Sequence, residues 1–262
     1  MPFSPAARST ATSSRREVDG MTILRAFGLN DLRNIKREAL LLYMMIIPPL
    51  MVAVLRLVLP WATAVLSARF GFDLANYYPM ILSFFFVLQI PLLFGVLVGL
   101  LVLDERDDGT LTALRVTPIS LMGYALYRGG AAVFLSFAYV LITLRFSGFA
   151  PSSLLPAIVV VAFLSGLLSA VFATILATFA ANKVEGMAVT KGLATLMVGP
   201  LAAYFIHSDW QLLFGLLPTY WPAKAFWVAS EGGTFWPYAV VGLAYILLLL
   251  VVFSRRFRRK VF

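Results

Sequence analysis

The chain has 262 residues, 61% hydrophobic and 13% charged, with a mean hydropathy of +0.91 and a formal net charge of +9. Soluble domains carry about a quarter of their residues as charges, so this balance excludes an ordinary soluble fold and ties the positive charge to membrane topology rather than to nucleic acid. Cysteine is absent, which excludes disulfides, thiolate metal sites and a cysteine nucleophile.

Residues 1–20, MPFSPAARSTATSSRREVDG, have no apolar period and read as a disordered cytoplasmic tail. An organelle transit peptide is the alternative reading, and Met21 offers a second start. From Met21 to Glu38, apolar Ile23, Leu24, Phe27, Leu32 and Ile35 alternate with Arg25, Arg33, Lys36 and Arg37. That pattern predicts an amphipathic helix on the cytoplasmic membrane surface, or a basic flank of the first span.

A membrane-crossing helix takes about 20 apolar residues, and six runs of that kind follow. They are expected at 39–60, 80–103, 121–146, 157–181, 188–206 and 236–253. The strand-like alternation of an outer-membrane barrel is absent. The fold class is therefore all-α and polytopic. Pro48-Pro49 should kink the first span, with Arg56 near its outer end and a polar loop to residue 79. "NKVEG" at 182–186 reads as a hydrophilic turn, and a longer segment at 207–235 precedes the last span.

Six spans put both termini on one side. Seventeen of the 21 Lys and Arg residues fall on that face, while Arg56, Arg69, Arg145 and Lys224 fall on the other. The face with the excess is expected to be cytoplasmic. The five tryptophans, Trp61, Trp210, Trp221, Trp227 and Trp236, lie at or beyond the expected outer ends, as a headgroup belt would.

Between the second and third runs stands "DERDDGTLTALRVTPIS", residues 104–120. Each charge at mid-bilayer costs about 2.5–3.5 kcal/mol, and each apolar residue returns only about 0.3–0.6. Five successive charges cannot be offset, so the stretch is cytoplasmic. Thr110 is a suitable N-cap, Asp107 and Asp108 precede it where anions favour a helix start, and Pro118 stops the helix after Thr117. Leu111 and Leu114 share one face of that short helix and need burial, on the membrane surface or in a partner's pocket.

This stretch, placed between spans two and three of six, resembles the cytoplasmic loop of ABC-2-type transporter permeases. Glu105, Arg106, Asp108, Gly109, Thr110, Leu111, Leu114, Thr117 and Pro118 carry the match: a charged cluster, Gly-Thr-Leu, then a short helix ending in Thr-Pro. The family often has Glu at the second acidic position, where this chain has Asp107-Asp108. The resemblance implies that the loop is a coupling helix docking on a separate ABC ATPase subunit, with ATP and Mg bound there and no cofactor in this chain. It implies one ABC-2-type transmembrane domain over 21–262, short re-entrant outer helices around "LLPTYWPAKAF", and a homodimer in the cytoplasmic membrane of a prokaryote. The overall pattern is similar to that of fluoroquinolone-type drug export permeases.

No G-x-x-x-x-G-K followed by Ser or Thr occurs, so the chain carries no P-loop of its own. The single histidine, His207, stands beside Ser208-Asp209 and cannot assemble a metal site alone. Ser165, Ser169, Ala173 and Ala177 form one small-residue ridge in span four, with Gly166, Ala170, Thr174 and Thr178 beside it, suited to close packing within the bundle. Gly95-xxx-Gly99 suits either the bundle or a dimer contact. "SFFFVLQ" at 83–89 suits lipid or a solute path.

The expected function is export of a small amphiphile, such as a drug, antibiotic or lipid. Polysaccharide or glycolipid export is the alternative within the family, and an ion-coupled carrier or a membrane enzyme from other classes. A carrier usually needs ionisable groups at mid-membrane, and no Asp or Glu falls inside the expected spans.

The topology is testable in this cysteine-free chain. Cysteines at Ser13, Thr112 and Ser254 should resist an impermeant thiol reagent added outside intact cells, while those at Ser152 and Ser230 should react. Outside labelling at position 112 would overturn the assignment.

Overall fold

The computed structural model describes residues 39–109 and 121–261, and every regular element among them is helical. Among the described residues, six helices are long and apolar enough to cross a membrane: Tyr43–Phe70, Leu74–Asp107, Gly123–Phe146, Ser152–Phe179, Lys183–Tyr204 and Trp236–Phe257. The surface helix expected at 21–38 and residues 110–120 of the charged stretch lie outside the described residues.

The first span, α1 (Ala39–Phe70), runs ten residues beyond its expected end, through Pro48, Pro49 and Pro60. Residues 61–69 contain no glycine or proline, so nothing stops the helix before Gly71. There the backbone turns left-handed, with φ 62°, and the Gly71 N–H bonds the Ser67 carbonyl at 3.1 Å. Arg56 nevertheless sits beside the turn after the third span, its guanidinium 3.4 Å from where a Gly148 Cβ would lie.

The second span is composite. A 3₁₀ turn (Leu74–Tyr77) leads into α2 (Tyr78–Leu82), a π-helical turn (Ser83–Leu88) and α3 (Gln89–Asp107). In the π turn the Gln89 N–H reaches back to the Phe84 carbonyl. The third span is α4 (Leu121–Phe146), as expected, and the fourth is α5 (Leu155–Phe179). The fifth begins five residues early, as α6 (Lys183–Thr195), and continues after a break as α7 (Val198–Tyr204). Asn182 caps it by accepting the Glu185 N–H at 3.0 Å, and the Glu185 carboxylate accepts the Ala181 N–H at 2.8 Å. The expected hydrophilic turn is therefore a capped helix start. A 3₁₀ helix (Asp209–Leu216) and α8 (Tyr220–Ser230) fill the long segment before α9 (Trp236–Val261), which carries the last span on through the basic tail.

Spans two and four form the core. In their most apolar stretches 83% and 67% of residues are buried, against 11–28% in the other four. Glycine lets the backbones meet. A Cβ on Gly95 would lie 2.5 Å from the Ser169 carbonyl oxygen, and one on Gly99 would lie 2.6 Å from Leu176. On the other side of α5, a Cβ on Gly166 would come 2.8 Å from the Val133 carbonyl of α4. Gly95-xxx-Gly99 is thus occupied within the chain and is no free dimer surface. The small-residue ridges of span four pack inside the bundle, as expected. Phe86 of the SFFFVLQ stretch is fully buried and does not face lipid.

Prolines in the spans remove helical N–H donors, and at three of them a hydroxyl from another element takes over. Pro91 frees the Val87 carbonyl, which accepts the Ser165 hydroxyl at 2.9 Å. Pro49 frees the Met45 carbonyl, which accepts Tyr139 at 3.2 Å. Pro200 frees the Leu196 carbonyl, which accepts Thr219 at 2.8 Å.

Hydrogen bonds between membrane helices average about 0.6 kcal/mol and reach about 1.7. Ser165→Ala should therefore lower stability in detergent by about 1 kcal/mol. Adding Pro91→Ala returns an N–H to position 91, so the double variant should recover part of the loss in thermal midpoint. Equal losses would show that the Val87 carbonyl does not depend on Ser165.

Candidate functional site

The charged stretch begins inside a helix. After buried Leu103, α3 continues through Asp104, Glu105, Arg106 and Asp107, four residues past the expected end of the span. Asp108 is its C-cap, with its N–H on the Asp104 carbonyl at 2.9 Å. Gly109 then turns left-handed, φ 72°, and its N–H bonds the Arg106 carbonyl at 3.1 Å. Asp107 and Asp108 thus close one helix, at the end where the helix dipole disfavours anions.

Two cations offset that accumulation. Arg128 of α4 donates from Nη2 to Glu105 Oε1, and the Tyr124 hydroxyl donates to Oε2 of the same carboxylate. The Arg128 side chain is 7% exposed and that of Glu105 20%. The guanidinium also lies 5.9 Å from the Tyr124 ring centroid and 5.8 Å from that of Tyr127. Lys183, the first residue of α6, pairs with Asp104 at 2.8 Å in a more exposed position.

The end of α3 is therefore fastened to the starts of α4 and α6, just where residues 110–120 depart and return. Of the predicted coupling residues, the structure places Glu105, Arg106, Asp108 and Gly109 on this last turn and cap. Thr110, Leu111, Leu114, Thr117 and Pro118 lie outside the described residues. Sequence reasoning treated Arg128 and Lys183 as topology signals and missed both pairings. The available signal was two cations bracketing an acidic cluster at the ends of neighbouring spans.

At the far end of the bundle α8 packs among α2, the π turn, α5 and α9. Trp227 is buried and donates from Nε1 to the Ser83 hydroxyl at 2.7 Å, and Ser83 donates to the Met80 carbonyl at 2.8 Å. Trp221 bonds the Gly215 carbonyl at 2.9 Å. Only Trp61, Trp210 and Trp236 are exposed in the way a headgroup belt requires, so the expected belt of five shrinks to three. Burial pushes the Tyr220 hydroxyl up to about 12, helped by Tyr238. Burial lowers the Lys224 ammonium, against the pull of Glu231. His207 is exposed, and among the described residues no three His, Asp or Glu side chains gather where a metal ion could be held.

Comparison with known proteins adds the lineage. A family model described as "Fluoroquinolones export permease protein Rv2686c-like" matches residues 31–254. Two relatives from Mycobacterium tuberculosis, the fluoroquinolones export permease proteins MT2760 (strain CDC 1551 / Oshkosh) and Rv2686c (strain ATCC 25618 / H37Rv), are each 41% identical over 242 residues. Those alignments cover 92% of this chain and 96% of each relative. No solved structure matches the chain significantly.

The two ion pairs should differ in weight. Glu105→Gln leaves Arg128 buried without its counter-charge, a loss of about 3 kcal/mol for such pairs. Asp104→Asn breaks the more exposed pair and should cost less than about 1 kcal/mol. Unfolding midpoints in detergent check the order, and equal effects would contradict it.

Proposed function

The chain belongs to the Rv2686c-like family of fluoroquinolones export permeases, and from that premise we propose that it is the membrane subunit of an ATP-driven exporter. It works as a dimer with two copies of a separate ABC ATPase and moves a small amphiphile of the fluoroquinolone kind out across the cytoplasmic membrane. Residues 110–120 dock on the ATPase, with Leu111 and Leu114 as the buried contacts. ATP closes the motor, the docked segment moves, and the spans alternate between inward-open and outward-open arrangements. The 3₁₀ helix and α8 are the re-entrant outer cap of the path.

One observation carries this reading. The docking segment leaves from a helix end that is ion-paired to two other spans, through Glu105–Arg128 and Asp104–Lys183. A push on the segment is thereby delivered to spans two, three and five together. A flexible tether would dissipate it. Asp104 and Glu105, the first acidic groups past the apolar part of span two, each have a cation, and among the described residues no Asp or Glu lies in the middle of a span. That favours an external motor over a proton-binding carrier.

Leu111→Asp combined with Leu114→Asp should leave insertion and abundance intact, yet abolish co-purification with the ATPase and drug export. In proteoliposomes holding both subunits, transport should stop when the ATPase P-loop lysine is replaced and persist when ion gradients are collapsed. Uptake by the permease alone, driven by a pH or sodium gradient, would overturn the proposal.

A further inference from the structure

Span five carries a cation where a lipid-facing helix would not. The charge count places Lys191 on the cytoplasmic face because span five is expected to begin at 188; with the span starting at Lys183, which pairs with Asp104 at the charged end, Lys191 stands eight residues inside it. At 1.5 Å per residue that is about 12 Å along the helix, in a hydrocarbon core about 30 Å thick. Lys191 is exposed, and its ammonium has no ion pair or hydrogen bond among the described residues. A lysine at the centre of a lipid-facing helix costs about 2.5–3.5 kcal/mol, and ionisable residues in spans usually face a bundle interior or a water-filled cavity.

Its neighbours point the same way. Val184, Ala188, Lys191, Thr195 and Val198 make one exposed line along α6 and the start of α7. A Cβ on nearby Gly192 would meet nothing within 4 Å. By contrast, α1 exposes Ile46, Ile47, Leu50 and Leu57, and α9 exposes Leu247 and Leu248, side chains longer than the valines, alanine and threonine around Lys191. Span five is also the least hydropathic of the six. The Lys191 face thus sets one positive charge, unpaired among the described residues, beside Thr195 one turn on and short apolar side chains.

We propose that Lys191 is an anchoring residue on the solute path, its ammonium taking the carboxylate of an amphiphilic acid while Val184, Ala188 and Val198 take the apolar body. This deepens the export reading above and rests on it. The complementarity is specific: one cation selects an anionic group, and a small-residue strip leaves room for a ring system beside it. A lysine that only reaches toward lipid phosphates shares the chemistry of anion pairing, so the test must separate the two.

The full-length permease in detergent is titrated with a fluorescent fluoroquinolone bearing its free carboxylate, and with the carboxamide of the same compound. Lys191→Met should weaken binding of the acid at least tenfold and leave the carboxamide unchanged. Lys191→Arg should keep the acid within threefold of wild type. Unchanged acid binding in Lys191→Met would assign the lysine to lipid headgroups and overturn the inference. Equal losses for both probes, or loss of the native oligomer, would make its role structural and overturn it equally. If the wild-type chain binds neither probe, the solute reading itself fails, a result distinct from failure at Lys191.

Discussion

A membrane interior offers no water to a backbone carbonyl that has lost its helical partner, and that constraint organises this bundle. In three spans a carbonyl freed by proline is met by a hydroxyl from elsewhere: Tyr139 for Met45, Ser165 for Val87, Thr219 for Leu196. Each bond therefore also fixes which helices are neighbours. Span three holds the otherwise exposed span one, span four holds the π turn of span two, and the connection into α8 holds the break in span five. Without those hydroxyls a bent span would have to straighten or carry an unpaired carbonyl, and a proline cannot straighten fully.

The stiffness of the bundle is uneven as a result. At Gly95 the backbone of α3 lies on the Ser169 carbonyl of α5, and at Gly99 it lies on the Leu176 side chain, leaving little room for either helix to give way. Closely packed interiors of that kind shift as units rather than deforming smoothly. On one side of this seam, α3 is joined to α4 and α6 by ion pairs. On the other side stand the π turn and Pro91, where the regular ladder is interrupted. Bending of span two is cheapest there, because π turns and prolines are where long helices depart from regularity.

The spans were legible because their signal is long and strong, and their count and order follow from apolar run length alone. The ends were less so. Span one is expected to end at 60 because the stretch to residue 79 reads as a polar loop with Gly71 and its tyrosines, although no glycine or proline stands between Pro60 and Gly71. The start of α6 was readable but was read as a turn. Asn182 followed three residues later by Glu185 is a capping pattern, and the structure uses both side chains that way. Arg128 and Lys183 are a different matter. A cation near a span end serves equally as a topology signal or as a partner for an acid on another helix, and only the packing of α3 against α4 and α6 decides. The Trp227 contact with Ser83 spans 144 residues of sequence and leaves no local trace.

That last contact changes how the two ends relate. Ser83 is the first residue of the π turn, and its hydroxyl joins Trp227 of α8 to the Met80 carbonyl of α2. The cap segment therefore rests on the part of span two where the helix is least regular. The opposite end of the same span holds Glu105 and its partners. Displacement of the charged end, within the export reading, would travel along the glycine seam as a rigid shift and be absorbed at the π turn, where α8 is attached. On that reading one continuous helix, α3, runs from the charged end to the π turn on which α8 rests. The cost of such a movement falls on a few hydrogen bonds at the turn, each worth about 0.6 kcal/mol on average between membrane helices.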